Sequence, residues 1–271
     1  MNETVLSNMA HWINERTRIL KLKDAAAPKP WTTDPILQSY KFCNVRREDD
    51  RVTRWFAANW RHEKYWDDRN FVAAIMLGRT VNWPPTLERL GFPHVWDKSK
   101  FIHILDGLMA NGGKVWTGAY MITAGPTGVR KSEWVCGNAD SYFNNPPKLD
   151  GRSIQKSWEI ITGNNYPCVG PFIAGQIIAD LKHTCHLENA DDWWDWAAIG
   201  PGSMRGLNRL HDRPLNTHVP QKSALAEMRA VKEELGMKLC LQDVQNCLCE
   251  LDKYERVRLG QGKPRSGYNG R

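Results

Sequence analysis

The apolar residues of positions 4–22, namely Val5, Leu6, Met9, Trp12, Ile13, Ile19 and Leu20, return every three or four positions, and the same spacing persists through most of the chain. Side chains repeating near 3.6 residues share one face of a helix but alternate across a strand, so this pattern demands helices. The spacing predicts helices over 4–22, 34–40 (with Thr33 as cap), 50–63, 66–76, 84–90 and 98–110, separated by the AAAPKPW loop at 25–31 and ended by the NGG turn at 111–113. Runs 114–120 and 135–136 read as β-like and flank 124–131, which gives a small β-like excursion near 114–136. Helices are expected again at 153–161, 170–181, 191–197, 203–210, 221–236 and 241–257. The expected fold is mainly α. Residues 1–257 form one helical region, or two lobes at 1–110 and 140–257, and 258–271 form a basic Gly-rich tail.

Composition excludes several classes of function. With 41% hydrophobic and 25% charged residues the 271-residue chain is globular rather than disordered. No apolar run approaches the roughly 20 residues that span a bilayer, and MNETVLSNMAHWINER lacks the form of a signal peptide. The expected location is therefore the cytoplasm in which the chain is made. Seven scattered cysteines, with Cys247 and Cys249 as the one close pair, fit reduced thiols and no metal centre. The net charge of +7 suits an anionic partner, but five positive charges fall in the last sixteen residues. Lys263 and Arg265 there are either a basic arm on a phosphate backbone or a solubilising tail.

Three constellations point toward chemistry. Residues 125–132 resemble a phosphate loop, but Arg130 stands where the second glycine must let the backbone wrap phosphate, and Ser132 leads into EWVCGNADSYF where a phosphate loop of an α/β sheet would lead into a long helix. The segment 153–181 places Val169, Gly170 and Phe172 in a turn between two helices, with Pro171 opening the second. This is either a hairpin that offers backbone N–H groups to a DNA phosphate or an ordinary helical corner. A Gly200-Pro-Gly202 loop follows, opening into a helix with Arg205 and Asn208-Arg209. At the other end Asn14, Glu15, Arg16, Arg18, Trp31, Phe42, Asn44, Arg46, Arg47, Asp49 and Arg51 interleave cations, amides and rings. Such a set is what a pocket for a phosphorylated base requires, although charged helix ends produce the same pattern.

The order of hairpin, Gly-Pro-Gly loop and Asn-Arg-Leu resembles the helix-hairpin-helix DNA glycosylases. Their catalytic Asp would fall near Gly200, where no carboxylate stands; the nearest are Asp191, Asp192 and Asp195. More specifically, WINER at 12–16, PWTxDPIL at 30–37, FCNVRREDDR at 42–51, TGAYM at 117–121, GPGSxRGLNR at 200–209 and DxQNxLCExDKY at 243–254 together resemble the phage α-glutamyl/putrescinyl-thymine pyrophosphorylases, the amino acid:DNA transferases of thymine hypermodification.

That resemblance implies a helix-hairpin-helix DNA glycosylase-like fold and double-stranded DNA carrying 5-phosphomethyluracil as substrate. An amino acid or polyamine would displace the phosphate, with no cofactor required and a divalent metal ion left open. Arg46, Arg47, Arg51 and Arg205 would stabilise the leaving group. Asn14 and Asn44 would read the uracil edge, and Glu15, Asp49, Asp243 or Glu250 would serve as base. Arg16, Arg18, Trp31, Phe42, Thr117, Tyr120, Gly200, Gly202, Ser203 and Asn246 complete the implied substrate site. Two other readings stay open: a 5-hydroxymethyluracil DNA kinase, if 125–132 binds nucleotide, and a non-catalytic module that binds modified DNA.

Overall fold

The computed structural model describes residues 1–117 and 125–264. Among them are twelve α-helices and no β-strand. They group into two compact units, one of residues 1–50 with 194–271 and one of residues 51–193.

The first unit contains α1 (Glu3–Asp24), α2 (Pro35–Ser39), α10 (Pro201–Leu210), α11 (Gln221–Leu235) and α12 (Leu241–Arg258). α12 is its axis: Leu241, Val244, Cys247, Leu248 and Leu251 are fully buried against α1, α10 and α11. Helix α1 answers with Met9, Trp12 and Ile13, one turn apart on a single face. Caps fix the ends. The Asn2 side chain accepts from Val5 N, Asp34 accepts from Ile36 N and Leu37 N, and Gly236 closes α11 in the left-handed region. α10 and α12 lie so close that a β-carbon on Gly206 would sit 2.3 Å from the Leu248 carbonyl oxygen, and one on Gly202 would sit 2.8 Å from Cys249 Sγ.

The second unit contains α3 (Arg51–Ala58), α4 (Phe71–Val81), α5 (Pro84–Leu90), α6 (Lys98–Ala110), α7 (Lys131–Asn144), α8 (Ile154–Gly163) and α9 (Pro171–Leu181). Every residue of α4 is buried, so α4 forms the centre against α5, α7 and α9. Arg79 on α4 and Asp180 on α9 are both fully buried and form a two-pronged pair at 2.5 and 2.6 Å. Thr53, Asn82 and the face of Phe56 complete the guanidinium's partners.

Several elements differ from the sequence expectation. Residues 135–136 are not β-like: they lie inside α7, whose buried Ser132, Val135, Cys136, Ala139 and Tyr142 follow helical spacing. The excursion expected near 114–136 is thus a helix at its C-terminal end, and 118–124 lie outside the described residues. No helix forms over 191–197. The Asp192 carboxylate instead accepts from Ile154 N, Gln155 N and Ser153 Oγ at the start of α8. Trp193 is fixed by reciprocal bonds, its Nε1 to Lys182 O and its carbonyl from Lys182 Nζ. The helix expected over 50–63 stops at Ala58, and the one expected over 66–76 begins at Phe71 and runs on to Val81.

Candidate functional site

In the first unit five of the six quoted segments are represented around α12. The 41–50 segment runs over α12 and is held there by carboxylates: Cys43 N donates to Glu250 (2.9 Å) and Arg47 N to Asp243 (3.1 Å). Asn246 Nδ2 donates to the carbonyls of Asn44 and Val45 (2.7 and 3.3 Å), and Asn44 Nδ2 donates to Asp49 O (2.8 Å). From α1, Arg16 reaches Cys43 O (3.1 Å) and Asn44 Oδ1 (3.0 Å). Glu15 accepts from the Thr32 hydroxyl and pairs with Arg18, while Trp31 Nε1 donates to Ala27 O. Phe42 is buried beside Trp12 and Tyr254, with the Lys253 ammonium 4.6 Å from its ring centre.

This geometry redistributes the expected roles. Both ends of the Asn44 amide are spent inside the protein, so it braces the segment instead of presenting an edge to a base. Phe42 offers no free face for stacking. Glu250, paired with Lys253 at 2.6 Å, and Asp243 each hold a backbone N–H group of the 41–50 segment, which is the work of an anchor. Arg46 is exposed with one bond to Lys238 O, and Asn14 is exposed on α1.

The second focus of this unit is Asp252, a residue the sequence reading leaves out of the site. Its carboxylate is 2% exposed and takes Arg205 Nε (2.8 Å), Arg209 Nε (2.9 Å) and Arg256 Nη2 (3.5 Å). Three guanidinium groups on one carboxylate leave net positive charge, and Arg205 and Arg256 remain about two-fifths open to solvent. The i, i+4 spacing of Arg205 with Arg209 and of Asp252 with Arg256 is the sequence signal for this cluster. Gly200 caps α10, where its N–H meets Ser203 Oγ at 3.1 Å. Gly202 serves the α10–α12 approach described above. Asp34 lies on the α12 side as well. Burial acts to raise its carboxyl, but hydrogen bonds from Tyr254 Oη (2.7 Å), His11 (3.0 Å) and the N–H groups of Leu37 and Ile36 outweigh it and hold it below the ordinary aspartate value.

The second unit holds the hairpin, the loop at 125–132, Thr117 and Arg51. Arg51 opens α3 and is exposed; Thr117 N donates to Val81 O. α8 and α9 pack together across the turn at 164–170, which bends through left-handed Asn165 and Cys168. Val169 is buried and its N–H is taken by Tyr166 O, so it anchors the turn. Gly170 is the exposed N-cap of α9, without a side-chain cap, and Phe172 beside it is 57% exposed. In the loop, Arg130 pairs with Asp106 and Glu133, and Ser132 Oγ donates to Asp106 (2.5 Å). Carboxylates occupy the space a phosphate would need, so the loop is a capped helix start. Tyr120 and Arg265 lie outside the described residues, and Lys263 is exposed. Among the described residues no group of three His, Cys, Asp or Glu is placed to hold a metal ion, and no helix is long and apolar enough to cross a membrane.

Residues 3–263 match the family described as "5-hmdU DNA kinase, helical domain". A curated protein of Bacillus phage SP10 described as "5-hmdU DNA kinase" is 24% identical over 266 residues, covering 83% of this chain and 41% of that protein. The chain thus spans less than half the length of the curated relative it matches. No solved structure matches. These findings overturn the expected membership among amino acid:DNA transferases, and with it the amine donor and the 5-phosphomethyluracil DNA as partners. The kinase reading, conditional above on the 125–132 loop, is favoured by the family match and not by that loop.

Proposed function

The chain belongs to the 5-hmdU DNA kinase helical-domain family, and from that premise we propose that it serves phosphorylation of 5-hydroxymethyluracil in phage DNA, as the part that grips the DNA and presents the modified base. In the reaction the hydroxymethyl oxygen attacks the terminal phosphorus of a nucleoside triphosphate. An O–P bond forms, the nucleoside diphosphate leaves, and the hydroxyl proton is released. The observation that carries this reading is the family match over nearly the whole described chain. Two features support the assignment of the DNA side. The N-terminus of α9 at Gly170 carries no side-chain cap and lies beside Phe172, which is 57% exposed, the place where a helix-hairpin-helix grip would meet a backbone phosphate. The half-open guanidinium groups of Arg205 and Arg256, with exposed Arg46, offer forks for further phosphates.

The carboxylates around 125–132 argue against a phosphate donor there, and we assign the donor site to protein other than this loop. The test is a duplex pair of identical sequence with 5-hydroxymethyluracil or thymine, titrated with the chain at fixed salt, followed by incubation with ATP and magnesium and nucleoside mass spectrometry. Tighter binding to the 5-hydroxymethyluracil duplex is expected, without phosphate gain from the chain alone. Equal affinity for both duplexes would overturn the reading as a whole, and phosphorylation by the chain alone would overturn the division of labour.

A further inference from the structure

Three arginines of the first unit converge on one buried carboxylate. Arg205 and Arg209 stand one turn apart on α10, Asp252 and Arg256 one turn apart on α12, and Gly206 lets the two helices approach until these side chains meet. Asp252 Oδ1 accepts from Arg209 Nε (2.9 Å), while Oδ2 accepts from Arg205 Nε (2.8 Å) and faces Arg256 Nη2 (3.5 Å).

The three guanidinium groups are not equivalent. Arg209 is buried and closed, because its Nη2 donates to Gln261 Oε1 (2.9 Å). The side chains of Arg205 and Arg256 are 40% and 38% open to solvent, and among the described residues neither meets an acceptor other than Asp252. Arg205 binds Asp252 through Nε, so both of its Nη groups remain as a fork. Arg256 faces the same Oδ2 oxygen, which makes the two open guanidinium groups neighbours held by one atom. One carboxylate against three cations leaves this pair repelling each other, and an oxyanion placed across both relieves the repulsion. The positive charge continues along the chain instead of closing round a single anion: Gln261 N donates to Arg256 O (2.8 Å), and exposed Lys263 follows.

We propose that Arg205 and Arg256 together clamp one DNA backbone phosphate, and that Asp252 is the positioning residue that holds the clamp in shape. Resting on the function proposed above, this assignment adds which groups share a phosphate and what sets their geometry. Removal of the Asp252 charge would tighten DNA binding by Coulomb attraction alone. In this clamp it weakens binding, because guanidinium groups released from Oδ2 move apart and no longer meet one phosphate.

The test is fluorescence anisotropy of the full chain with one thymine duplex, between about 50 and 200 mM salt. The double variant Arg205→Gln with Arg256→Gln, in which Asp252 keeps Arg209, is expected to lower the slope of log affinity against log salt by about 0.9, the share of one phosphate. A fall of about 1.8 would give the two arginines separate phosphates, and an unchanged slope would remove them from the interface; either result overturns the clamp. Asp252→Asn is expected to bind several-fold more weakly with the same loss of slope. A smaller folded fraction reduces the amount of active chain and leaves that slope alone, so the slope separates positioning from stability. Tighter binding or an unchanged slope in Asp252→Asn would overturn the role of Asp252. Displacement of the duplex by inorganic phosphate equimolar with duplex phosphate would assign the pair to a free phosphate and overturn the DNA assignment. The duplex carries no 5-hydroxymethyluracil, so the two readings fail separately. Preference for 5-hydroxymethyluracil DNA without the loss of slope removes the clamp alone, and the loss of slope without that preference removes the proposed function alone.

Discussion

Gly206→Ala probes the closest helix approach in the first unit. A β-carbon built there meets Leu248 O at 2.3 Å, Leu248 C at 2.8 Å and Leu248 Cα at 3.0 Å. All three are backbone atoms of α12, so no side-chain rotation relieves the overlap, and α10 must move away from α12. Forcing an extra carbon into a packed interface costs about 1–3 kcal/mol, with a backbone clash at the upper end. Alanine returns roughly 0.5–1 kcal/mol through its better helix propensity. The net loss is about 2 kcal/mol, or about 4–8 °C in melting temperature at roughly 2–4 °C per kcal/mol. The assay is urea and thermal unfolding followed by circular dichroism, with Gly137→Ala as the control. Gly137 is also inside a helix, α7, but a β-carbon there meets nothing within 4 Å, so this variant should gain about 0.5–1 kcal/mol. Gly206→Ala melting at or above the native chain would refute the packing argument.

Three further outcomes follow from the structure. Arg79→Met should cost about 3–5 kcal/mol in urea unfolding, because the fully buried Asp180 loses its two-pronged partner at 2.5 and 2.6 Å and keeps the longer contact from Arg61 Nη1 at 3.4 Å. Tyr254→Phe should cost about 1–2 kcal/mol at neutral pH by removing a donor to Asp34. Because the folded-state pKa of Asp34 is depressed, its contribution is complete above the ordinary value of 3.8 and is lost as pH falls through the folded value; the difference between native and variant should close in acid. Phe172→Ala should weaken DNA binding several-fold, the ring being 57% exposed, and anisotropy at two salt concentrations checks it.

Helices with one buried stripe were legible in the sequence. Met9, Trp12 and Ile13 of α1 and Val244, Leu248 and Leu251 of α12 announce their faces by spacing alone. α7 was not, because Val135 and Cys136 together form a short apolar run whose periodicity shows only when Ser132, Ala139 and Tyr142 are counted with them. Residues 191–197 have a helical pattern, but Asp192 and Trp193 bond to distant parts of the chain, and those tertiary partners override local preference. Five of the six segments quoted for the resemblance meet on α12. Their residue types could not say whether a carboxylate such as Glu250 faces a ligand or a backbone N–H of its own chain, and the structure gives it Cys43 N. The Arg79–Asp180 pair joins residues 101 positions apart and has no local signature. The reaction was misread for a related reason: the motifs mark a helical module, and such a module does not by itself specify the group being transferred.

The central claim is that this helical domain recognises DNA containing 5-hydroxymethyluracil. Its most direct test is the ratio of dissociation constants for otherwise identical 5-hydroxymethyluracil and thymine duplexes, measured by fluorescence anisotropy with the full chain at one fixed salt concentration. The account predicts tighter binding of the 5-hydroxymethyluracil duplex, by about tenfold, the factor that 1.4 kcal/mol of added interaction supplies. Equal dissociation constants for the two duplexes would contradict it.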